Sequence, residues 1–136
     1  MTYVLDTNIV SYFIQEDARI ISKLRSVLAA NHSIVLSPAT YYEIWRGFKH
    51  KPSPKKEKAF IRMCELYPIG KMDLAIWGKA ADIYAAVRKA GRPIEDTDIL
   101  IAAFCVVNDY VLATNNTKHF TNVDGLDYEN WVTEVI

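Results

Sequence analysis

Three acidic residues interrupt apolar stretches of this chain, and they are its best candidates for catalytic chemistry. Asp6 closes the apolar opening of the chain, and Glu43 lies inside the aromatic segment 41–45. Asp98 precedes the apolar segment 99–104. Carboxylates are rarely buried unless they are paired or bind a cation. If the fold brings these acids together, the pattern predicts a metal-dependent hydrolase.

The expected electrostatics of such a cluster favour a bound cation. At ~5 Å and an effective dielectric constant of about 20, each pair of like charges costs roughly 3 kcal/mol. A divalent cation relieves that repulsion. A ligand set made only of oxygen atoms favours Mg²⁺ or Mn²⁺.

The composition is that of one soluble globular domain, residues 1–136. A chain of 136 residues buries roughly two-thirds of its unfolded surface. The formal net charge is zero, so no global field attracts nucleic acid or membrane, although a local basic patch remains compatible with this balance. No apolar run has membrane-spanning length, and the opening lacks the pattern of a signal peptide. Cys64 and Cys105 lie in apolar helical patterns, which favours two buried thiols and a cytoplasmic location.

Short apolar runs alternate with longer helical patterns along the chain. The predicted strands are 3–6, 33–36, 66–69, 110–113 and 126–128. The predicted helices are 8–14, 18–30, one that starts at Pro38 with Ser37 as its cap, 55–64, 73–90 and 96–107. The helix 73–90 is expected to bury a stripe of Ile76, Trp77, Ala80, Tyr84 and Val87, and Trp45, Trp77 and Trp131 are all expected in the core. This alternation predicts an α/β fold with a parallel sheet covered on both faces.

A parallel sheet of this kind would bring the candidate residues to one edge. Ligands bind beyond the carboxyl ends of the strands in open parallel sheets. Asp6 lies at the end of the first strand, and the segment 114–116 follows a late strand. Asp98 lies in the first turn of a helix, where the helix dipole favours an anion by about 0.3–1 kcal/mol and should keep it ionised. This convergence is what a metal-dependent phosphodiesterase requires.

Each acid also has a purely structural interpretation. Asp6 would cap the helix that follows it, and Asp98 would be an ordinary first-turn acid. Glu43 would pair with Arg46 on a solvent face, worth a few tenths of a kcal/mol. Asp96 either reaches the pocket or caps its helix, and His119 is expected at the surface or in packing. The joint pattern, rather than any single acid, favours a site.

One segment departs from the neutral average. Residues 46–58 contain six basic side chains against a single acid, Glu57: Arg46, Lys49, Lys51, Lys55, Lys56 and Lys58. Such a run is commonly a solvated face. Its alternative is contact with a phosphate backbone, since a basic patch beside an acidic pocket would position RNA.

Several short motifs occur in an order that resembles a known family. They are VLDTN (4–8), SP (37–38), EIWRG (43–47), GRPI (91–94), DILIAA (98–103), ATNNTKHF (113–120) and GL (125–126), followed by Trp131. On these motifs the chain resembles PIN domains over essentially its whole length, and specifically the toxin nucleases of VapBC-type toxin–antitoxin pairs.

The resemblance implies a three-layer α/β/α sandwich around a short parallel sheet and a Mg²⁺- or Mn²⁺-dependent endoribonuclease. It makes Asp6 and Asp98 the principal metal ligands, with Glu43 completing the acidic cluster. Asn116 stands where many PIN domains carry a fourth acid, and His119 stands where relatives often carry another. Asparagine brings no charge, so the resemblance leaves open whether one or two ions bind.

The resemblance also implies partners, namely an RNA substrate, a cognate antitoxin that covers the acidic pocket, and a second copy in a homodimer. Two other functions remain open at this point. One is a non-catalytic PIN-like module that binds RNA or protein, and the other is phosphotransfer through Asp6.

Overall fold

The computed structural model describes residues 1–132, which alternate strands and helices as predicted. The strands are β1 (Thr2–Leu5), β2 (Ser33–Val35), β3 (Val111–Thr114) and β4 (Asp127–Asn130). The helices are α1 (Thr7–Ile14), α2 (Ala18–Ala29), α3 (Pro38–His50), α4 (Pro54–Leu66), α5 (Leu74–Lys89) and α6 (Asp96–Asn108), and a 3₁₀ turn spans Thr117–His119. All strand pairs are parallel, in the order β2-β1-β3-β4. The predicted parallel α/β fold is therefore confirmed.

Successive side chains of β1 point to opposite faces of the sheet, and the core accordingly forms two clusters, one on each face. Tyr3 and Leu5 pack with apolar residues of α1, α2 and α4. Val4 points the other way and packs with residues of α5 and α6. The helix α3 contributes Ala39 to the second cluster and Ile44 to the first. The molecule is thus the expected three-layer sandwich, because neighbouring strand residues face opposite sides.

Side-chain caps fix the start of α3, where the sequence predicts one, and of α5, where none was predicted. Ser37 accepts a hydrogen bond from the Thr40 N–H at 3.1 Å, and Pro38 occupies the first turn of α3. Asp73 caps α5 in the same way through the Ile76 N–H at 2.9 Å. Such caps satisfy backbone donors that the helix itself leaves unpaired. They fix where α3 and α5 begin.

The predicted strand 66–69 is wrong for most of its length. Leu66 is the last residue of α4, which continues beyond the predicted end at residue 64. Only Ile69 pairs with the sheet, through an isolated parallel bridge to Leu36. A short apolar run does not distinguish a strand from the end of a helix, and here the helix prevails.

The predicted apolar stripe of α5 is also partly wrong. Trp77 is 50% exposed and Tyr84 44% exposed, whereas the buried residues are Ile76, Ala80, Ile83 and Val87. The buried set follows steps of four and three, and the two aromatic residues lie just off that line. Of the other tryptophans, Trp131 is buried as predicted and Trp45 is only half-buried.

Two expectations from composition can be compared with the structure. Cys64 and Cys105 are both free thiols, as predicted, although Cys64 is only half-buried. Among residues 1–132, no helix has the length and apolar character needed to cross a membrane.

We expect Gly70→Ala to lower the free energy of unfolding by about 1–3 kcal/mol, a usual effect of overpacking. A Cβ at Gly70 would lie 2.3 Å from Cζ of Phe104, whose side chain is 2% exposed in the core of α6. Gly47→Ala in α3 is the control, because its Cβ would meet no atom within 4 Å and alanine is the better helix former. Urea denaturation measures both variants. An unchanged midpoint for Gly70→Ala would contradict the packing argument.

Candidate active site

The predicted acids line one cleft at the carboxyl edge of the sheet. The cleft has a volume of about 350 Å³ and is lined by Asp6, Thr7, Asn8, Ser11, Glu43, Glu95, Asp98, Asn116 and His119. All of the predicted site residues, including Asn116, therefore meet in one place. Their individual roles remain predictions.

Asp6 is held at the bottom of the cleft by hydrogen bonds from neutral donors. It is 2% exposed, and its Oδ1 accepts a hydrogen bond from the Thr7 N–H at 2.8 Å. Its Oδ2 accepts hydrogen bonds from Thr114 Oγ1 at 2.7 Å and from Asn8 Nδ2 at 3.2 Å. Asp6 caps α1 and also faces the cleft, so the structural and functional interpretations both hold. Burial raises the pKa of Asp6 and the charge of Glu43 adds to this, although the hydrogen bonds oppose it.

Asp98 reaches the cleft from the first turn of α6. Its side chain is 15% exposed, and its Oδ2 lies 3.0 Å from Nδ1 of His119. Burial, which is the largest cause, and the charges of Asp6 and Glu43 together raise the pKa of Asp98 to about 6, although His119 opposes the shift. Burial and the neighbouring charges therefore outweigh the stabilisation of the anion that the helix dipole was expected to give. With a pKa of about 6, Asp98 is still mostly ionised at neutral pH.

Glu43 projects from α3 and is fixed by a hydroxyl group of α1. Its Oε1 accepts a hydrogen bond from Thr7 Oγ1 at 2.5 Å. Thr7 Oγ1 also lies 3.3 Å from Oγ1 of the buried Thr40. On the outer side, Oε2 lies 3.5 Å from Nη2 of Arg46, so the predicted i,i+3 pair is present as well. One oxygen of Glu43 is therefore held by the protein, and the other has only a long contact.

His119 lies at the surface, as predicted, and it also lines the cleft. Its side chain is 49% exposed and contacts Asp98. The 3₁₀ turn after β3 brings it there, and the residue before that turn, Asn116, donates its N–H to Thr114 Oγ1 at 2.9 Å. The signals in the sequence were its position shortly after a strand that ends at the site and the acid that relatives often carry there.

Asn8 is a site residue that residue-type reasoning missed. Its amide nitrogen donates to Asp6, and its Oδ1 accepts the Asn115 N–H at 3.1 Å. Asn8 thereby ties the end of β1 to the loop after β3. Its signal in the sequence was its place in the VLDTN motif, two residues after Asp6.

Asp96 takes neither of the two places considered for it. It is exposed and lines a different pocket, beside Trp77 and Thr97. The residue at the N-cap of α6 is Glu95, which makes no side-chain capping hydrogen bond and lines the acidic cleft instead. A helix rotates by about 100° per residue, which separates Asp96 from Asp98 on the surface of α6.

The donors of the cleft suit a hard divalent cation. Carboxylate, amide and hydroxyl oxygens line the cleft, and the charges of Asp6 and Glu43 add to the effect of burial in raising the pKa of Asp98. Within residues 1–132, no three His, Cys, Asp or Glu side chains are close enough together to form a ready-made metal site. The side-chain contacts explain this, because Glu43 turns toward Thr7 and Asp98 toward His119.

Comparison with known proteins agrees with this geometry. The family model described as "PIN domain" matches residues 3–126. The chain belongs to the PIN-domain family. The resemblance inferred from the motifs is thereby confirmed.

The curated relatives of this PIN domain are VapC proteins. Ribonuclease VapC1 of Haemophilus influenzae (strain R2866) is 33% identical over 136 residues, covering 96% of this chain and 98% of the relative. The tRNA(fMet)-specific endonuclease VapC of Shigella flexneri is 26% identical over 133 residues, with 96% and 98% covered.

Solved structures show the same PIN fold in toxin–antitoxin complexes. VapBC2 from Rickettsia felis, bound to a DNA fragment from its promoter, matches with a TM-score of 0.88 and 25% identity over 96% of this chain and 99% of that chain. VapBC-1 from nontypeable Haemophilus influenzae matches with a TM-score of 0.86 and 28% identity, covering 98% and 100%. This PIN domain is therefore of the VapC type.

We expect Asp98→Asn to stabilise the metal-free protein at pH 7 by on the order of 1 kcal/mol. Its folded-state pKa of about 6 exceeds the ordinary value of 3.8, so ionisation of Asp98 opposes folding. We reduce the full linkage value because the carboxylate keeps some contact with water. Thermal unfolding in EDTA measures the effect.

The pH dependence and a matched variant test the cause of this stabilisation. A raised folded-state pKa means that the cost of the charge develops between about pH 4 and pH 6 and is complete above that range. The advantage of Asp98→Asn should therefore shrink when the pH falls from 7 to 5. The exposed Asp82→Asn removes the same charge from α5 and is expected to change little. An unfolding temperature of Asp98→Asn equal to or below that of the wild type at pH 7 would argue against repulsion in the cleft.

Proposed function

We propose that this VapC-type protein is a Mg²⁺- or Mn²⁺-dependent endoribonuclease and the toxin of a toxin–antitoxin pair. The observation that carries the proposal is the convergence of Asp6, Glu43 and Asp98 on one cleft. The PIN-domain match and the ribonuclease names of its relatives support the same reaction class.

Asp6 and Asp98 are the proposed principal ligands of the cation, and Glu43 completes the acidic set. Mg²⁺ commonly binds through one or two carboxylates and keeps several water molecules, so the site does not require direct contact with all three acids. A cation bound there supplies two kinds of chemistry: it lowers the pKa of water and stabilises negative charge on a phosphoryl oxygen.

The side chains around the cation would position the reacting groups. The hydroxyl of Thr7 holds one oxygen of Glu43, which leaves Oε2 to orient the attacking water. The amide of Asn116 lies on the cleft wall and would bond a phosphate oxygen without adding charge. Because Asp6 is fixed by three hydrogen bonds, it would change position little during the reaction. Preorganised charge of this kind usually contributes most to phosphodiester hydrolysis.

The proposed protein partner is a cognate antitoxin, as in the VapBC complexes that share this fold. A basic side chain of that partner placed among the three acids would neutralise the cluster, as a cation does. Access to cellular RNA places the proposed activity in the cytoplasm.

The proposed homodimer would use the exposed apolar surface of α3 and α5. Leu74 is 88% exposed, Tyr42 59% and Trp77 50%. Tyr42 and Trp77 line a common pocket with the half-buried Met72. Large exposed apolar side chains close to one another commonly mark a protein interface.

We expect purified protein free of antitoxin to cut RNA only when Mg²⁺ or Mn²⁺ is present. Asp98→Asn should reduce the cleavage rate by at least about a hundredfold, because it removes a charged cation ligand while the protein remains folded. Cleavage of total cellular RNA, with and without EDTA, measures this, and sequencing of the product ends identifies the substrate. Asp82→Asn serves as the control that keeps full activity.

The contrary results are distinct. Full cleavage by Asp98→Asn would remove this residue from the mechanism, and cleavage that persists in EDTA would remove the cation. A folded protein that binds RNA but cuts none of the main RNA classes would make the chain a non-catalytic binding module.

We expect the wild-type protein to form a dimer of twice its 15.5 kDa mass, and Trp77→Lys to form a monomer. A charge at the centre of an apolar interface is unfavourable, whereas Trp77 is half-exposed in the single chain and tolerates it. Light scattering after gel filtration gives both masses. Leu28→Lys, on the exposed side of α2, should remain a dimer. A monomeric wild type, or a dimeric Trp77→Lys, would rule out this interface.

A further inference from the structure

A second groove continues from the acidic cleft along the surface. It has a volume of about 490 Å³ and shares Thr7, Ser11 and Glu43 with the cleft. The groove runs between α1 and the second half of α3 and ends at the start of α4. We call it the lysine groove, because Lys51 and Lys56 line its far end. The acidic cleft and the lysine groove therefore adjoin at these three residues.

The charge of the lysine groove is opposite to that of the cleft. Lys51 and Lys56 are both exposed, and none of the ion pairs found in residues 1–132 involves either of them. The nearby acid of this segment, Glu57, already has a partner at the N-cap of α4, because its Oε2 accepts a hydrogen bond from the Ser53 N–H at 3.0 Å. The two ammonium groups are therefore available to a ligand with negative charge.

The lining of the groove also includes apolar side chains. Ile14, Ile44 and Phe48 contribute to it, and Phe48 is a half-buried ring within a group of aromatic side chains. An aromatic or apolar surface next to cationic groups is the usual combination for binding single-stranded nucleic acid. The volume lies within the range of roughly 300–1,000 Å³ that holds small organic ligands, which is enough for a nucleotide.

A glycine in α3 keeps the groove open. Gly47 lies inside α3 and lines the groove, and a Cβ added there would meet no atom within 4 Å. Glycine inside a helix costs about 0.5–1 kcal/mol relative to alanine, and neither packing nor a positive φ requires it here. A side chain at position 47 would therefore project into open space in the groove.

We propose that the lysine groove binds the nucleotide next to the scissile phosphate of a single-stranded RNA. Its phosphate would lie near Lys51 and Lys56, and its base would pack against the apolar lining at Phe48. The inference rests on the proposed endoribonuclease function, because it assumes that RNA is cut in the adjoining acidic cleft. An RNA strand there needs cationic contacts beside the acidic site, and this groove supplies them. An acidic protein segment is the competing ligand.

The first test compares Lys51→Ala/Lys56→Ala with the matched control Lys23→Ala/Lys89→Ala, which removes two exposed lysines from α2 and α5. For cleavage of a single-stranded oligonucleotide, we expect the groove variant to raise KM about tenfold while kcat stays within twofold. The slope of log KM against log salt should fall by about 0.7 for each lost phosphate contact. The control should resemble the wild type in all three quantities.

A steric variant separates loss of binding from loss of folding. Gly47→Leu would place a side chain in the groove and replace glycine by a better helix former. We expect its unfolding temperature to rise while its KM for RNA rises as well. A variant that is more stable but binds RNA as tightly as the wild type would show that RNA does not enter the groove.

Chemically modified RNA oligonucleotides identify the phosphate that the lysines contact. Oligonucleotides that carry one neutral methylphosphonate beside the cut are compared on wild-type protein and on Lys51→Ala/Lys56→Ala. We expect one position to weaken binding to the wild type about tenfold and to have no further effect in the variant. Independent effects at every position would contradict a direct contact.

A binding measurement keeps this inference separate from the proposed activity. Fluorescence anisotropy of a labelled oligonucleotide is measured on Asp98→Asn protein with and without the two lysine substitutions, so cleavage is not needed. Equal affinity would overturn the groove as an RNA site even if the wild type is an active nuclease. Equal RNA affinity together with weakened antitoxin binding would assign the groove to the protein partner instead.

Discussion

The concentration of negative charge at one edge of the sheet is the constraint on which the rest of this structure depends. Asp6, Glu43 and Asp98 share a cleft, and burial together with the charges of the other two raises the pKa of Asp98 to about 6. Such a cluster persists only because separate elements hold each acid: β1 and α1 fix Asp6, α3 fixes Glu43, and α6 fixes Asp98. The surrounding fold is the scaffold that keeps these like charges together.

Much of this arrangement follows from the sequence, because parallel strands impose a simple geometry. An acid directly after the first strand must lie at the carboxyl edge, and Thr114 must join it there once β3 pairs with β1. The first residue of a helix is also set by neighbours in the sequence, as the hydrogen bond from the Thr40 N–H to the capping Ser37 shows. Local interpretations did not exclude functional ones: Asp6 caps a helix and Glu43 meets Arg46, yet both line the cleft.

Other features depend on contacts that no local pattern contains. Trp77 and Tyr84 are apolar at helical spacing, but their exposure depends on which neighbours cover α5. Ile69 makes a single bridge because α4 extends to Leu66 and leaves little chain for a strand. His119 reaches Asp98 through the orientation of a three-residue turn, which residue types alone do not determine.

Asp6 joins the two ends of the chain. Its N–H donates to Ala113 and its carboxylate accepts from Thr114, so residues more than a hundred positions apart meet at one aspartate. While the ribosome is still synthesising the chain, Asp6 has emerged but its partners in β3 have not. The acidic cleft is therefore incomplete until late in translation, and a chain that stops before β3 lacks the partners that hold Asp6 in place.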